Sequence, residues 1–98
     1  MVVVKEGLKK HSYTVTIEGI DYNVVIQEPE FKQLALAMGK LITQSGGLDL
    51  VGAGNIIYEL CCVECPVEVS SSAKVLVSLC LTLASDFVTP ADTVIKKN

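Results

Sequence analysis

The sequence predicts an α+β fold in which an N-terminal β-hairpin packs on a three-helix bundle, followed by a short C-terminal helix. Polar and apolar residues alternate before residue 27, which is the pattern of half-buried strands. After residue 28, apolar residues recur at spacings of three and four, which is the pattern of amphipathic helices. The chain has 98 residues, of which 50% are hydrophobic and 19% charged, so we expect a single domain with a thin core over residues 1–98.

The hairpin is predicted from two runs rich in β-branched residues, 12–17 and 21–26, with a turn at Gly19. A hairpin alone is only marginally stable in water, so its apolar face is expected to pack on the helices. Residues 1–11 precede the first strand and are expected to form a flexible tail. The single histidine, His11, falls within that tail.

The first helix is expected over residues 29–43. Pro29 suits the first turn of a helix, and Glu28 and Glu30 lie favourably near its positive end. Two glycines after residue 45 end the helix. The side chains of its apolar stripe are Phe31, Leu34, Ala35, Met38, Leu41 and Ile42.

A second helix is expected to begin after Asp49, whose side chain can cap it. It is predicted to end near residues 61–62. Residues 63–69 include Pro66 and indicate a loop or a short extended link. One of the serines 70–72 then caps the next helix. The apolar stripe of the second helix consists of Ala53, Ile56, Ile57 and Leu60.

The third helix, predicted over residues 73–88, is apolar around most of its circumference. Its polar residues form one narrow stripe: Lys74, Ser78, Thr82 and Asp86. Such a helix is either packed centrally between the hairpin and the other helices, or it offers an apolar face to a partner or a second copy. Both alternatives stay open. Thr89 and Pro90 then indicate the start of the short C-terminal helix.

Charge and hydropathy exclude several kinds of partner. The formal charge of −3 and the pI near 5.0 provide no attraction for phosphate backbones or anionic membranes, so neither partner is expected. The longest apolar stretch, residues 75–84, is far shorter than the ~20 residues that cross a bilayer. No signal peptide is evident, and the four cysteines are expected to be reduced thiols, so we expect a cytoplasmic protein.

The cysteines provide the one motif that is typical of a metal or redox site. Cys62 and Cys65 form a C-x-x-C pair, but a structural zinc site needs a second pair of ligands, and none is evident. A redox pair works best at a helix N-terminus, whereas this pair follows a helix and lies beside Glu64. We therefore interpret Cys61 and Cys80 as core residues. Metal binding by Cys61, Cys62 and Cys65 is left undecided.

The remaining residues do not predict an active site. Gly52 and Gly54 are spaced like the opening of a dinucleotide-binding loop, but Ile57 replaces its third glycine. We interpret these glycines as permitting close helix packing or a loose first turn. His11 has no evident acid to orient it, and the carboxylates are dispersed among caps and turns. We expect neither an enzyme, nor a cofactor, nor a small-molecule substrate.

Four features occur in a set order along most of the chain. They are a hairpin at residues 13–26 with its turn at Gly19, a helix at 31–38 led by residues 28–29, the segment 56–62, and a closing amphipathic helix. Together they resemble the small tail-assembly-chaperone-like proteins that phages and prophages encode.

The resemblance implies a protein that binds a tape-measure or tail-tube protein during virion assembly and does not catalyse a reaction. Its third and first helices would supply an apolar surface that covers the assembling partner. The alternative is a homo-oligomeric structural or adaptor module of unrelated function. The interface candidates are Leu76, Leu79, Leu83, Phe87, Phe31, Leu34 and Met38.

Overall fold

The computed structural model describes residues 4–89 and 94–98, and it confirms the α+β class. Its strands form one antiparallel sheet in the order β1-β2-β3. The predicted C-terminal helix would begin with residues 90–93, which lie outside the described residues. The elements are β1 (Lys10–Ile17), β2 (Ile20–Gln27), α1 (Phe31–Leu41), α2 (Leu50–Cys61), β3 (Cys62–Glu64), α3 (Val67–Ser70), α4 (Ala73–Leu83) and a π-helical turn (Ala84–Val88).

The predicted hairpin is confirmed, and its register runs from the pair Lys10 and Gln27 to the pair Ile17 and Ile20. Its two-residue turn has positive φ at both positions, +50° at residue 18 and +80° at Gly19, as in a type I′ turn. This turn matches the right-handed twist of the strands. β1 begins two residues before the predicted start, so His11 lies in the strand.

The third strand is a departure from the sequence prediction. Residues 62–64 pair with β2 across a bulge, and Ile26 lies opposite Cys62. The segment predicted as a loop or extended link therefore contains β3 and the single turn of α3. Period-two alternation does not show in a strand of three residues, and the strand exists because of a partner that lies far away in the sequence.

Helix α1 begins two residues later than predicted. Pro29 precedes the helix, and Glu30 is its N-cap in extended conformation. The backbone N–H of Glu30 donates to Oε1 of Gln33 at 2.9 Å, which is one half of a capping box. Proline is common near helix starts, and here it lies one position ahead of the cap.

The caps predicted for the next two helices are found. Asp49 accepts a hydrogen bond from the backbone N–H of Gly52 at 2.8 Å. Ser72 accepts from the backbone N–H of Val75 at 3.5 Å and precedes α4. Both contacts satisfy donors that the first helical turn leaves unpaired.

Helix α2 lies at the centre of the helical layer, because it packs on both α1 and α4 and also contacts β2 and β3. Its contact with α4 is close at Gly54, where an added Cβ would lie 1.8 Å from the carbonyl oxygen of Cys80. The interpretation of Gly54 as a packing residue is therefore confirmed. The core that these elements enclose is aliphatic: Val24, Ile26, Ala37, Leu41, Ala53, Ile57, Cys61, Val69, Leu79, Leu83 and Val88.

Candidate protein-binding surfaces

The third helix of the sequence prediction, residues 73–88, corresponds to α4 and the π-helical turn. The interface candidates on it are mostly core residues. Leu79 and Leu83 are buried, and Leu76 and Phe87 are partly buried against the core. Leu83 therefore needs correction as an interface candidate, because a partner could not reach it without opening the fold, and only 5% of the surface of Leu79 is accessible. Contacts with α2, α3 and the π-helical turn account for the buried part of this helix, whereas Val77 and Leu81 stay 44% and 41% exposed.

The π-helical turn and β1 are held together by two side-chain contacts. The ring of His11 lies 5.0 Å from the ring of Phe87, edge to face, and its Nε2 lies 3.1 Å from Glu28. The hydroxyl of Tyr13 donates to Oδ2 of Asp86 at 2.8 Å. His11 therefore belongs to a structural contact between sheet and helix.

The candidates on the first helix are positioned differently. Phe31 is 84% exposed, whereas Leu34 and Met38 are half-buried and pack against the core. Residues 31, 35 and 38 follow the three- and four-residue spacing of one helix face, so Phe31, Ala35 and Met38 form a row along α1, and Ile42 follows as its C-cap in extended conformation. Helical spacing therefore places an apolar row beside the buried face of α1.

The row is extended by the connection between α1 and α2. Ile42 and Leu48 face each other in an isolated antiparallel bridge, and they are 62% and 67% exposed. Paired residues in such a bridge direct their side chains to the same face. We call Phe31, Ala35, Met38, Ile42 and Leu48 the α1 stripe.

Sequence reasoning found part of this stripe and missed the rest. Phe31 and Met38 were candidates, and the spacing of Ile42 placed it on the same helix. Leu48 carries no periodic signal, because its position depends on a turn in which the backbone N–H of Thr43 donates to Gly47 and Gly46 has φ of +86°. That turn brings the two segments together.

A groove of about 370 Å³ forms a second candidate surface, between β1 and α4. Residues 13–16 line one wall, and Val75 and Leu79 contribute apolar side chains to the other. Because Tyr13 bonds to Asp86, just beyond the carboxyl end of α4, Lys74 lies at the opposite end of the groove. The groove joins residues about sixty positions apart, so no sequence window indicates it.

The four cysteines are free thiols, and burial makes three of them, Cys61, Cys62 and Cys80, poor nucleophiles. Burial raises the pKa of Cys61 to about 11, with a further contribution from Glu30 and Glu28. Burial also raises the pKa of Cys62 to about 11, and that of Cys80 in the same direction. These thiols stay protonated at neutral pH, whereas thiol chemistry needs the thiolate.

Within residues 4–89 and 94–98, no group of three or more potential ligands is placed to hold a metal ion. None of the helices described is both long and apolar enough to cross a membrane. Comparison of the chain with models of known families, with characterised proteins and with solved structures gives no match. Function is therefore argued from the two surfaces, the α1 stripe and the groove.

Proposed function

We propose that this chain is a non-enzymatic protein that binds a protein partner through the α1 stripe. The observation that carries the proposal is the exposure of Phe31, Ile42 and Leu48 along one edge of the molecule. Large apolar side chains that line up at the surface are typical of interaction sites. An aromatic side chain with apolar neighbours is also the usual composition of a binding hot spot.

Burial of the stripe would contribute favourable free energy to binding. Burial of a large apolar side chain contributes roughly 1.5–3 kcal/mol, and the stripe offers several such side chains. Part of this is offset by the entropy that two molecules lose on association. The surface fits a partner with an apolar helix or strand of its own.

The finer form of the proposal is a phage assembly chaperone or accessory structural protein that works in the host cytoplasm. Its partner would be a tape-measure or tail-tube protein, whose apolar surface needs cover before assembly. The support for this form is the order of hairpin and helices together with the exposed α1 stripe. The stripe would then bind the partner's apolar segments and release them when the tail assembles.

The test is coexpression of the chain with the tape-measure or tail-tube protein of the same genome, each in a separate experiment. The double variant Phe31→Asp, Ile42→Lys makes both ends of α1 polar. The aspartate lies at the N-terminus of α1 and the lysine at its C-terminus, where these charges are favourable, so the fold should be retained. We expect the wild-type chain to copurify with its partner and to raise the partner's soluble yield, and the double variant to lose both effects.

Leu36 provides the matched control, because it is exposed on α1 but lies on a different face from the α1 stripe. The variant Leu36→Lys should bind like the wild type. Equal binding by the wild type and the double variant would exclude the stripe as the binding surface. Absence of binding to either tail protein would exclude the assembly-chaperone form.

The alternative is a homo-oligomeric structural or adaptor module. The groove between β1 and α4 favours this alternative, because an extended segment from a second copy of the chain could bind there. Copurification with a tail protein, tested as above, separates the two functions, because a homo-oligomeric module of unrelated function binds neither tail protein.

A further inference from the structure

The outer edge of β1 has backbone groups that β2 does not use. The backbone N–H of Glu28 donates to the carbonyl oxygen of Lys9 at 2.7 Å, and the register continues from this pair along the hairpin. Because hydrogen-bonded pairs alternate in an antiparallel ladder, the odd-numbered residues of β1 bond to β2. The even-numbered residues, Ser12, Thr14 and Thr16, direct their N–H and C=O groups outward.

This edge has little of the protection that edge strands usually carry. Lysines and prolines that discourage pairing are missing between residues 12 and 17, all of which are described. Opposite the edge lies α4, which forms the second wall of the groove.

The two ends of the groove differ in charge. Lys74 lies at one end and forms no ion pair with any of the described residues. The other end holds Tyr13, whose hydroxyl bonds to Asp86 and whose pKa is raised by burial, by Asp86 and by Glu28. An occupant that suits this groove is an extended, β-branched segment with positive charge at the Tyr13 end.

The chain itself contains such a segment. Residues 94–98 have no regular secondary structure, and Val94 and Ile95 are 81% and 90% exposed. Both are β-branched and favour extended conformation. Lys96 and Lys97 follow them directly.

We propose that residues 94–97 of a second copy add to the outer edge of β1 as an antiparallel fourth strand. Strands of four residues span about 13 Å, which matches the four residues of β1 that line the groove. Because successive side chains of a strand point to opposite faces, one of Val94 and Ile95 packs against Val15, Val75 and Leu79, and the other lies on the opposite face of the added strand. The two lysines lie beside Asp86.

The direction of the strand assigns the segment to a second copy. In its own chain, a segment that entered the groove from the Tyr13 end would run parallel to β1 and would bring Lys96 and Lys97 toward Lys74. The antiparallel direction separates these like charges, and each copy has one segment and one groove, so reciprocal exchange can close a dimer.

This inference does not depend on the proposed function, because it uses the groove and leaves the α1 stripe free. Its first test is the mass of the full chain in solution over a range of concentrations. The variant Thr14→Pro removes an outward N–H but no hydrogen bond to β2, whereas Thr14→Ala retains the N–H. We expect a dimer for the wild type and for Thr14→Ala, and a dissociation constant raised about tenfold or more for Thr14→Pro.

The second test uses the segment and does not touch the fold. The double variant Val94→Gly, Ile95→Gly should be monomeric where the wild type is dimeric. An equimolar mixture of this variant with Thr14→Pro should form heterodimers, detected by native mass spectrometry. The Val94→Gly, Ile95→Gly copy then supplies the intact groove, and the Thr14→Pro copy supplies the intact segment. Neither variant alone can form a dimer with the mass of this heterodimer.

Three outcomes would overturn the inference. A wild-type chain that is monomeric at every concentration excludes the exchange. A dimer that survives both the groove and the segment substitutions uses another surface. A monomer in which NMR shows residues 94–97 paired with β1 of the same chain would assign the groove to the chain's own segment.

Discussion

At the residue scale, the turn of the hairpin contains a side chain in an unfavourable backbone conformation. Glu18 has φ of +50°, which glycine, asparagine and aspartate adopt more readily than glutamate. We therefore expect Glu18→Asn to raise the free energy of unfolding by about 0.5–1 kcal/mol. Chemical denaturation measures the change. Glu18→Gln removes the charge but does not favour positive φ, so a similar gain from this control would assign the effect to electrostatics.

The buried thiol of Cys61 makes the stability of the fold sensitive to alkaline pH. Its pKa is about 11 in the folded chain, against 9.0 for an ordinary cysteine. Between these values the unfolded chain has released the proton and the folded chain has kept it, so the free energy of unfolding falls as pH rises. Below pH 9 this contribution is fully present.

We expect the wild type to lose stability between pH 9 and 11 more steeply than Cys61→Ala, by up to about 1.4 kcal/mol per pH unit. Denaturation curves in the presence of a reductant, recorded at intervals of pH, give both slopes. The variant itself is less stable because it loses packing, so only the slopes are compared. Parallel slopes would show that Cys61 does not titrate differently in the two states.

At the scale of elements, the contact between α2 and α4 depends on the missing side chain of Gly54. A methyl group there would overlap the backbone of Cys80, which cannot move as a flexible side chain could. Gly54→Ala should therefore destabilise the fold by about 2–3 kcal/mol or more.

The control for this substitution is Gly39→Ala, on an exposed position of α1 where an added Cβ has no neighbour within 4 Å. Alanine favours the helix there, so we expect a gain of about 0.5–1 kcal/mol in the free energy of unfolding. Thermal unfolding of the two variants separates helix propensity from interhelical packing. A stable Gly54→Ala protein would mean that the two helices can separate at low cost.

The elements that the sequence predicted well are those with local signals. The second helix has its cap at Asp49 as expected, and the third has its cap at Ser72, one of the three serines 70–72 that precede its apolar residues. β3 and the π-helical turn have no such signals, because tertiary contacts stabilise them. In the π-helical turn, the backbone N–H of Thr89 donates to the carbonyl oxygen of Ala84 at 3.1 Å.

At the scale of the whole molecule, the sequence could not tell which apolar side chains face the core. The third helix looked like the better interface, yet its Leu79 and Leu83 face the core, and Phe31 on α1 is more exposed than Val77 or Leu81 on α4. An amphipathic pattern identifies an apolar face but not its width. The surface that remains after packing depends on where every other element lies.

This difference between the two helices gives the last prediction. Leu83→Glu places an unpaired carboxylate in the core and removes a fully buried side chain, so we expect a loss of more than about 4 kcal/mol and an unfolded chain. Phe31→Asp changes a residue that is already in water. It lies in the first turn of α1, where negative charge is favourable, so the change should stay within about 0.5 kcal/mol.

Circular dichroism and chemical denaturation of both variants provide the measurement. The pair also determines how binding data are interpreted, because loss of binding by Leu83→Glu reports unfolding and loss of binding by Phe31→Asp reports the surface. If Leu83→Glu folds with wild-type stability, the third helix is not packed as described and its apolar face becomes available to a partner. If Phe31→Asp unfolds the chain, Phe31 belongs to the core and the α1 stripe loses its one aromatic side chain.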